Sequence, residues 1–146
     1  MDAATQAFTQ ATLYSDQQPY NMLHLPAAAI TAAAGVVAEI GQPFCALIAD
    51  KDEVTLIAPQ EMLAFFIERL VDHRSGGEYR LITFDLPLAP DLIGFMALVS
   101  RILTEAGVSI LPLAAFERDH ILVSAADFDK AWSALQTAQT RLKSEP

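Results

Sequence analysis

The run from Tyr79 to Leu142 constrains the fold more than any other part of the chain. Leu81-Ile82-Thr83-Phe84 is an apolar, partly β-branched stretch of strand length. Pro87 and Pro90 end it, because proline cannot donate to a ladder and keeps its predecessor out of the α region. Asp91 then suits a helix N-cap, and apolar residues recur at Leu92, Phe95, Met96, Val99, Leu103 and Ala106 with helical spacing. Gly107 stops that helix. A second strand follows over Val108 to Ala115, with Glu117-Arg118-Asp119 as a polar turn and His120 to Val123 as the return strand. Ser124 caps a last helix, with Asp127 three residues on in a capping-box arrangement. The order β-α-β-β-α predicts an α+β fold: a small antiparallel sheet with two helices on one face. Only Lys143-Ser144-Glu145-Pro146 follow Leu142, so the closing strand must come from elsewhere. The segment Phe8 to Tyr14, strand or helix by its pattern, is one source; exchange between halves of the chain is the other.

The first half repeats the pattern. Tyr20 to Leu25 reads as a strand ended by Pro26. Ala27 to Ile40 is either a helix with Ile30, Ala34, Val37 and Ile40 as its apolar stripe, or a loop ending at Gly41-Gln42-Pro43. Phe44 to Ala49 and Val54 to Ala58 form a hairpin around the turn Asp50-Lys51-Asp52-Glu53. Glu61 to Asp72 is a helix with Leu63, Phe66, Ile67 and Leu70 on one face. Laid over the second half at an offset of 66, Ala46 falls on Pro112, Glu53 on Asp119 and Leu56-Ile57 on Leu122-Val123. The first strands, at Tyr20 and Tyr79, are only 59 apart, so the first unit is about seven residues shorter near its first helix. Gly76-Gly77 is the best boundary, which divides the chain into a degenerate unit over 1–76 and a second unit over 77–146.

Composition removes several classes of function. A net charge of −9, with nine Lys and Arg spread along 146 residues, argues against a nucleic-acid surface. It is compatible with a cationic ligand. The single Cys45 lies in an apolar run and reads as a buried thiol; a disulfide within the chain and a cysteine zinc cluster are excluded. His24, His73 and His120 lack metal-ligand spacing. No nucleophile elbow, Gly-rich phosphate loop or Ser-His-Asp arrangement is present. Phe128, Trp132 and Leu135 share one helix face and read as core. The N-terminus lacks the basic and apolar regions of a signal peptide, and the most apolar stretch, Leu25 to Ile40, is shorter than the ~20 residues that cross a bilayer. The expectation is a soluble cytoplasmic protein, no membrane contact, no catalysis and no cofactor or metal.

Leu81 to Leu88, then Ile93-Gly94-Phe95-Met96-Ala97-Leu98, then Glu105 to Ile110 resemble the second repeat of small bacterial tandem ACT-domain proteins. The run from Ala114 to Val123 is similar to a signature of that family: serine-threonine-phenylalanine, two residues, aspartate, histidine or tyrosine, an apolar residue, leucine-valine. The same signature occurs in arginine sensors of the CASTOR type and, more distantly, in the regulatory domains of aspartate kinases. The resemblance covers Tyr79 to about Leu135 and, in the first half, Phe44 to Pro59.

The resemblance implies ferredoxin-like ACT units that bind small effectors, usually amino acids, without catalysis. It places ligand contacts on the loop after the first strand with the start of the first helix, here Leu86 to Gly94, and within it on Asp91, Leu92, Ile93 and Gly94. Free backbone N–H groups and the helix dipole there favour a carboxylate. It places further contacts on Leu111, Ala114, Ala115, Phe116 and Asp119. Asp91 and Asp119 are the groups suited to an amine or a cationic side chain. Where the signature has two hydroxyl side chains, this chain has Ala114-Ala115. The partners implied are a small amino acid or related metabolite, a second copy of the chain as a homodimer, and a partner enzyme. The competing function is an interaction module that keeps the ACT fold without a ligand; a small enzyme is the third.

Overall fold

The computed structural model describes residues 1–145. In chain order the elements are α1 (Ala3–Gln10), β1 (Thr12–Tyr14), β2 (Tyr20–Pro26), α2 (Ile30–Ile40), β3 (Ala46–Ala49) and β4 (Glu53–Pro59). Then come α3 (Gln60–Phe66), β5 (Arg74–Asp85), α4 (Phe95–Glu105), β6 (Ile110–Ala114), β7 (Asp119–Ser124) and α5 (Phe128–Ser144). Packing divides the chain into two units: a first over residues 18–79, and a second that joins residues 1–17 to the chain from Arg80 onward.

In the first unit the strand order is β3-β4-β2-β5, with β4 antiparallel to both β3 and β2, and β2 antiparallel to the start of β5. In the second it is β6-β7-β5, with β1 antiparallel to the end of β5 at Thr12↔Asp85. Each unit is a ferredoxin-like βαββαβ fold. The first takes its closing strand from the residues that follow it, and the second takes its own from the N-terminus.

Strand alternation supplies both cores. In the first unit Leu23, Leu25, Val54 and Leu56 point to Ala33 and Val36 of α2 and to Leu63. In the second, Ile82, Phe84, Ile121 and Val123 meet Phe95, Val99 and Leu103 of α4 and Phe128 and Leu135 of α5. Phe8 of α1 is fully buried there, with its ring 6.4 Å from that of Phe84. Gln139 of α5 donates to the carbonyls of Phe8 and Ala11, at 2.8 and 2.7 Å, and so ties down the N-terminal segment.

Several sequence expectations change. Ala27 to Ile40 is helical, but its first three residues form a 3-10 turn after Pro26. The α-helical phase therefore begins at Ile30, and the buried stripe is Ala33, Val36 and Ile40; Ile30 and Ala34 are exposed. Phe8 to Tyr14 divides between the end of α1 and the strand β1. Gly76-Gly77 is no linker, for it lies inside β5. There the β2–β5 register shifts between Asn21 and Leu23, and a Cβ on Gly76 would lie 3.0 Å from Met22 Cε and 3.2 Å from its carbonyl oxygen. These glycines serve a bulge. The division between units falls at Tyr79/Arg80, and residues 1–17 pack with the second unit. Cys45 is only half-buried, and burial pushes its thiol up.

Candidate functional site

Between β5 and α4 the chain runs through Leu86–Gly94 without regular secondary structure. Pro87 and Pro90 account for this, since both remove a backbone donor and bias the residue before them toward extended backbone. Leu92 N–H donates to the Ala89 carbonyl at 3.0 Å and closes a turn. The helix then begins at Phe95, three residues later than an Asp91 N-cap predicts, with Gly94 as N-cap at φ +92°. That left-handed φ suits glycine; a Cβ there would come only to within 3.7 Å of Ala4 Cβ, so space is not the reason. Asp91 is exposed in the turn and does not cap the helix.

Opposite this loop stands the β6–β7 hairpin. Ala114 pairs with Asp119, and Ala115 N–H donates to the Arg118 carbonyl at 2.9 Å. A single backbone bond joins the two elements: Leu88 N–H donates to the Glu117 carbonyl at 2.6 Å. Leu86, Leu88 and Leu92 pack onto the core, which holds the loop in place.

Between loop and hairpin lies a cavity of about 250 Å³. Leu88, Ala89, Pro90, Leu92 and Phe95 make its apolar wall. Ala114 to Phe116 and the charged run Glu117-Arg118-Asp119 make the other. The cavity thus brings together Leu92, Ala114, Ala115, Phe116 and Asp119 from the sequence-based set, and leaves out Asp91, Ile93, Gly94 and Leu111. Leu111 is left out because side chains alternate along β6. It pairs with Leu122, whereas Ala114 and Asp119 share the face of Ile121 and Val123. Ile93 points away, 89% exposed. Leu88, Ala89 and Pro90 belong to the expected loop without having been singled out in it, whereas Phe95, Glu117 and Arg118 were not expected at the site.

The charges are distributed unevenly. Arg118 Nε donates to Asp85 Oδ1 at 2.9 Å, and its guanidinium also lies 3.5 Å from Glu117 Oε2. The cation is therefore engaged by two carboxylates. Among the described residues no hydrogen bond or ion pair holds the Asp119 carboxylate. Burial pushes its carboxyl up from the usual aspartate value, and neighbouring His120 partly offsets this. On the other face of β7, His120 Nδ1 and Thr83 Oγ1 share a hydrogen bond of 2.8 Å, its direction set by the tautomer. Burial lowers the imidazole's proton affinity; Asp119 opposes that and Arg118 adds to it. The arrangement suits a ligand with a donor for Asp119 and an apolar body. Among the described residues no group of three or more His, Cys, Asp or Glu is placed to hold a metal ion, and no helix is long and apolar enough to cross a membrane.

Comparison with known proteins bears on the fold. Residues 74–137 match the family model of the ACT domain. A structure from Agobacterium tumefaciens is 26% identical, with a TM-score of 0.69 and 87% of each chain covered. The regulatory subunit of aspartate kinase from Thermus thermophilus, in its ligand-free form, is 12% identical with a TM-score of 0.70 over 88% of this chain and 97% of that one. A Vibrio cholerae protein of unknown function, described as a possible transport protein, is 19% identical with a TM-score of 0.68 over 90% of this chain and 92% of that one. No curated protein matches the chain. The last two likenesses are likenesses of fold.

Proposed function

We propose that this chain is a regulatory protein that binds a small amino acid at its ACT domain and catalyses no reaction. The observation that carries this is the cavity between Leu86–Gly94 and the β6–β7 hairpin, apolar on one side and bearing on the other the half-buried Asp119, which no hydrogen bond or ion pair holds among the described residues. Asp119 receives the ligand's ammonium, and Leu88, Leu92 and Phe95 receive its aliphatic part. Methyl groups at Ala114 and Ala115 favour an apolar side chain over the guanidinium that a hydroxyl-lined site would suit. The match of residues 74–137 to the ACT family and the fold shared with an aspartate kinase regulatory subunit support a regulatory role. A cytoplasmic homodimer that signals to a partner enzyme completes the reading.

Thermal unfolding against each common amino acid at millimolar concentration tests it. A ligand at a hundredfold its dissociation constant stabilises by ~2.7 kcal/mol. The expected result is one responder, or one narrow class, whose effect is lost in Asp119→Asn. A response that Asp119→Asn leaves intact would move the site elsewhere, and no response at all would remove the amino acid. The second reading, a protein-interaction module, is favoured by Ile93 and Phe116, which stand 89% and 92% exposed on the loop and the hairpin. It predicts no responder and a bound protein partner that is lost on changing Ile93 and Phe116 to serine.

A further inference from the structure

The first unit carries a different hollow, on the face of its sheet turned away from its helices. Antiparallel pairing sets Thr55 opposite His24, and His24 opposite Arg74. Directly paired residues project to one side, so these three side chains form a row across β4, β2 and β5. Val54, Leu56, Leu23 and Leu25 project to the other side, into the core. Glu53, two residues before Thr55, shares the row's face and reaches His24, its Oε2 lying 3.4 Å from Nε2. Glu53 therefore has a partner. Among the described residues no hydrogen bond or ion pair engages the Arg74 guanidinium. Ser75, the next residue, pairs with Leu23, so its side chain lies on the opposite face and only its backbone borders the hollow.

The hollow itself, about 350 Å³, depends on Gly76 and the β2–β5 register shift. A Cβ at Gly76 would approach Met22 to 3.0 Å, so the absence of that one atom lets the bulge close while the surface above stays open. Met22 gives an apolar side, and Arg74 and Thr55 give donors. A guanidinium with a hydroxyl donor on the same face suits a planar carboxylate, which it can bind through two parallel N–H bonds. Glu53 faces the same hollow and repels a second negative charge.

We propose that this hollow is a binding site for a small monocarboxylate, anchored by Arg74 and supported by the Thr55 hydroxyl. It is independent of the amino-acid reading of the second unit. The test is a titration of the full-length, ¹⁵N-labelled protein with glycolate, and separately with inorganic phosphate, at matched ionic strength. Glycolate should give saturable amide shifts at His24, Thr55, Ser75 and Gly76. Arg74→Gln, a substitution at an exposed side chain, should weaken it by about tenfold or more, as expected for loss of a charge-assisted pair. Glu53→Gln should leave glycolate bound and strengthen phosphate. Shifts that never saturate, a glycolate affinity unchanged in Arg74→Gln, or phosphate binding as tightly as glycolate to the unaltered protein would each overturn the proposal. Asp119→Asn should leave all these shifts unchanged, so failure here and failure of the amino-acid site are separately visible.

Discussion

Through their second helix the two units share a strand-and-helix order, and within it they differ in the connection after the first strand. In the first, β2 ends at Pro26 and the chain turns at once through Ala27–Ala29 into α2. In the second, β5 ends at Asp85 and α4 does not begin until Phe95. The helices themselves are both 11 residues long. The shortfall of about seven residues in the first unit is therefore a missing loop and not a missing helix. That loop is one wall of the second unit's cavity, while the first unit has no residues with which to build an equivalent. The fold can be repeated with or without this loop; this cavity comes only with it. The acid at the start of the third strand shows the same divergence. Glu53 is paired with His24, whereas among the described residues no hydrogen bond or ion pair holds the Asp119 carboxylate, which lines the cavity.

Breaking the second unit's dependence on the N-terminus gives the largest expected effect. Phe8→Ala removes a fully buried ring packed on Phe84 and Phe95 and should cost about 3–5 kcal/mol in urea unfolding. A cost below ~1 kcal/mol would mean that residues 1–17 are an appendage rather than part of that unit. Asp119→Asn comes next. It should weaken the responding amino acid by about tenfold or more. Because burial raises this carboxyl, ionisation costs stability as pH rises through its range, so the same change should slightly raise the melting temperature of the ligand-free protein at neutral pH.

His120 supplies a pH test. Its folded-state affinity for protons lies below the ordinary histidine value of 6.5, so its contribution is complete above that pH and is lost as pH falls. His120→Gln should flatten the fall in stability between about pH 7 and pH 5. An unchanged slope would assign the acid sensitivity to other groups. Arg118→Gln breaks a partly exposed pair with Asp85 and should cost less than ~1 kcal/mol of stability. The smallest effect is expected from Ile93→Ser, within about 0.5 kcal/mol in chemical denaturation, since the side chain already stands in solvent.

Much of this was legible in the sequence because periodicity and punctuation carry it. The strands around Leu81–Phe84 and His120–Val123, the Ser124 cap and the acidic turns all fall close to where the pattern places them; Ser124 Oγ accepts from Asp127 N–H at 3.2 Å. The closing strand was legible only as a choice, since Thr12–Tyr14 is too short to show a period. Gly76-Gly77 misled because glycine marks turns and bulges alike, and only the facing Met22 distinguishes them. At the site, the family resemblance named Asp119 and the hairpin. It could not show that Gly94 would replace Asp91 as the N-cap, which moves Asp91 and Ile93 out to solvent. Nor could it show that strand parity would turn Leu111 away.

We propose that the loop present in one unit and absent in the other makes a ligand site. An amide shift map of the ¹⁵N-labelled protein, taken with the amino acid that most raises its melting temperature, tests this. Saturable shifts should concentrate at Leu88–Leu92 and Ala114–Asp119 and be lost in Asp119→Asn. Shifts confined to residues 18–79, or unaltered by that substitution, would contradict it.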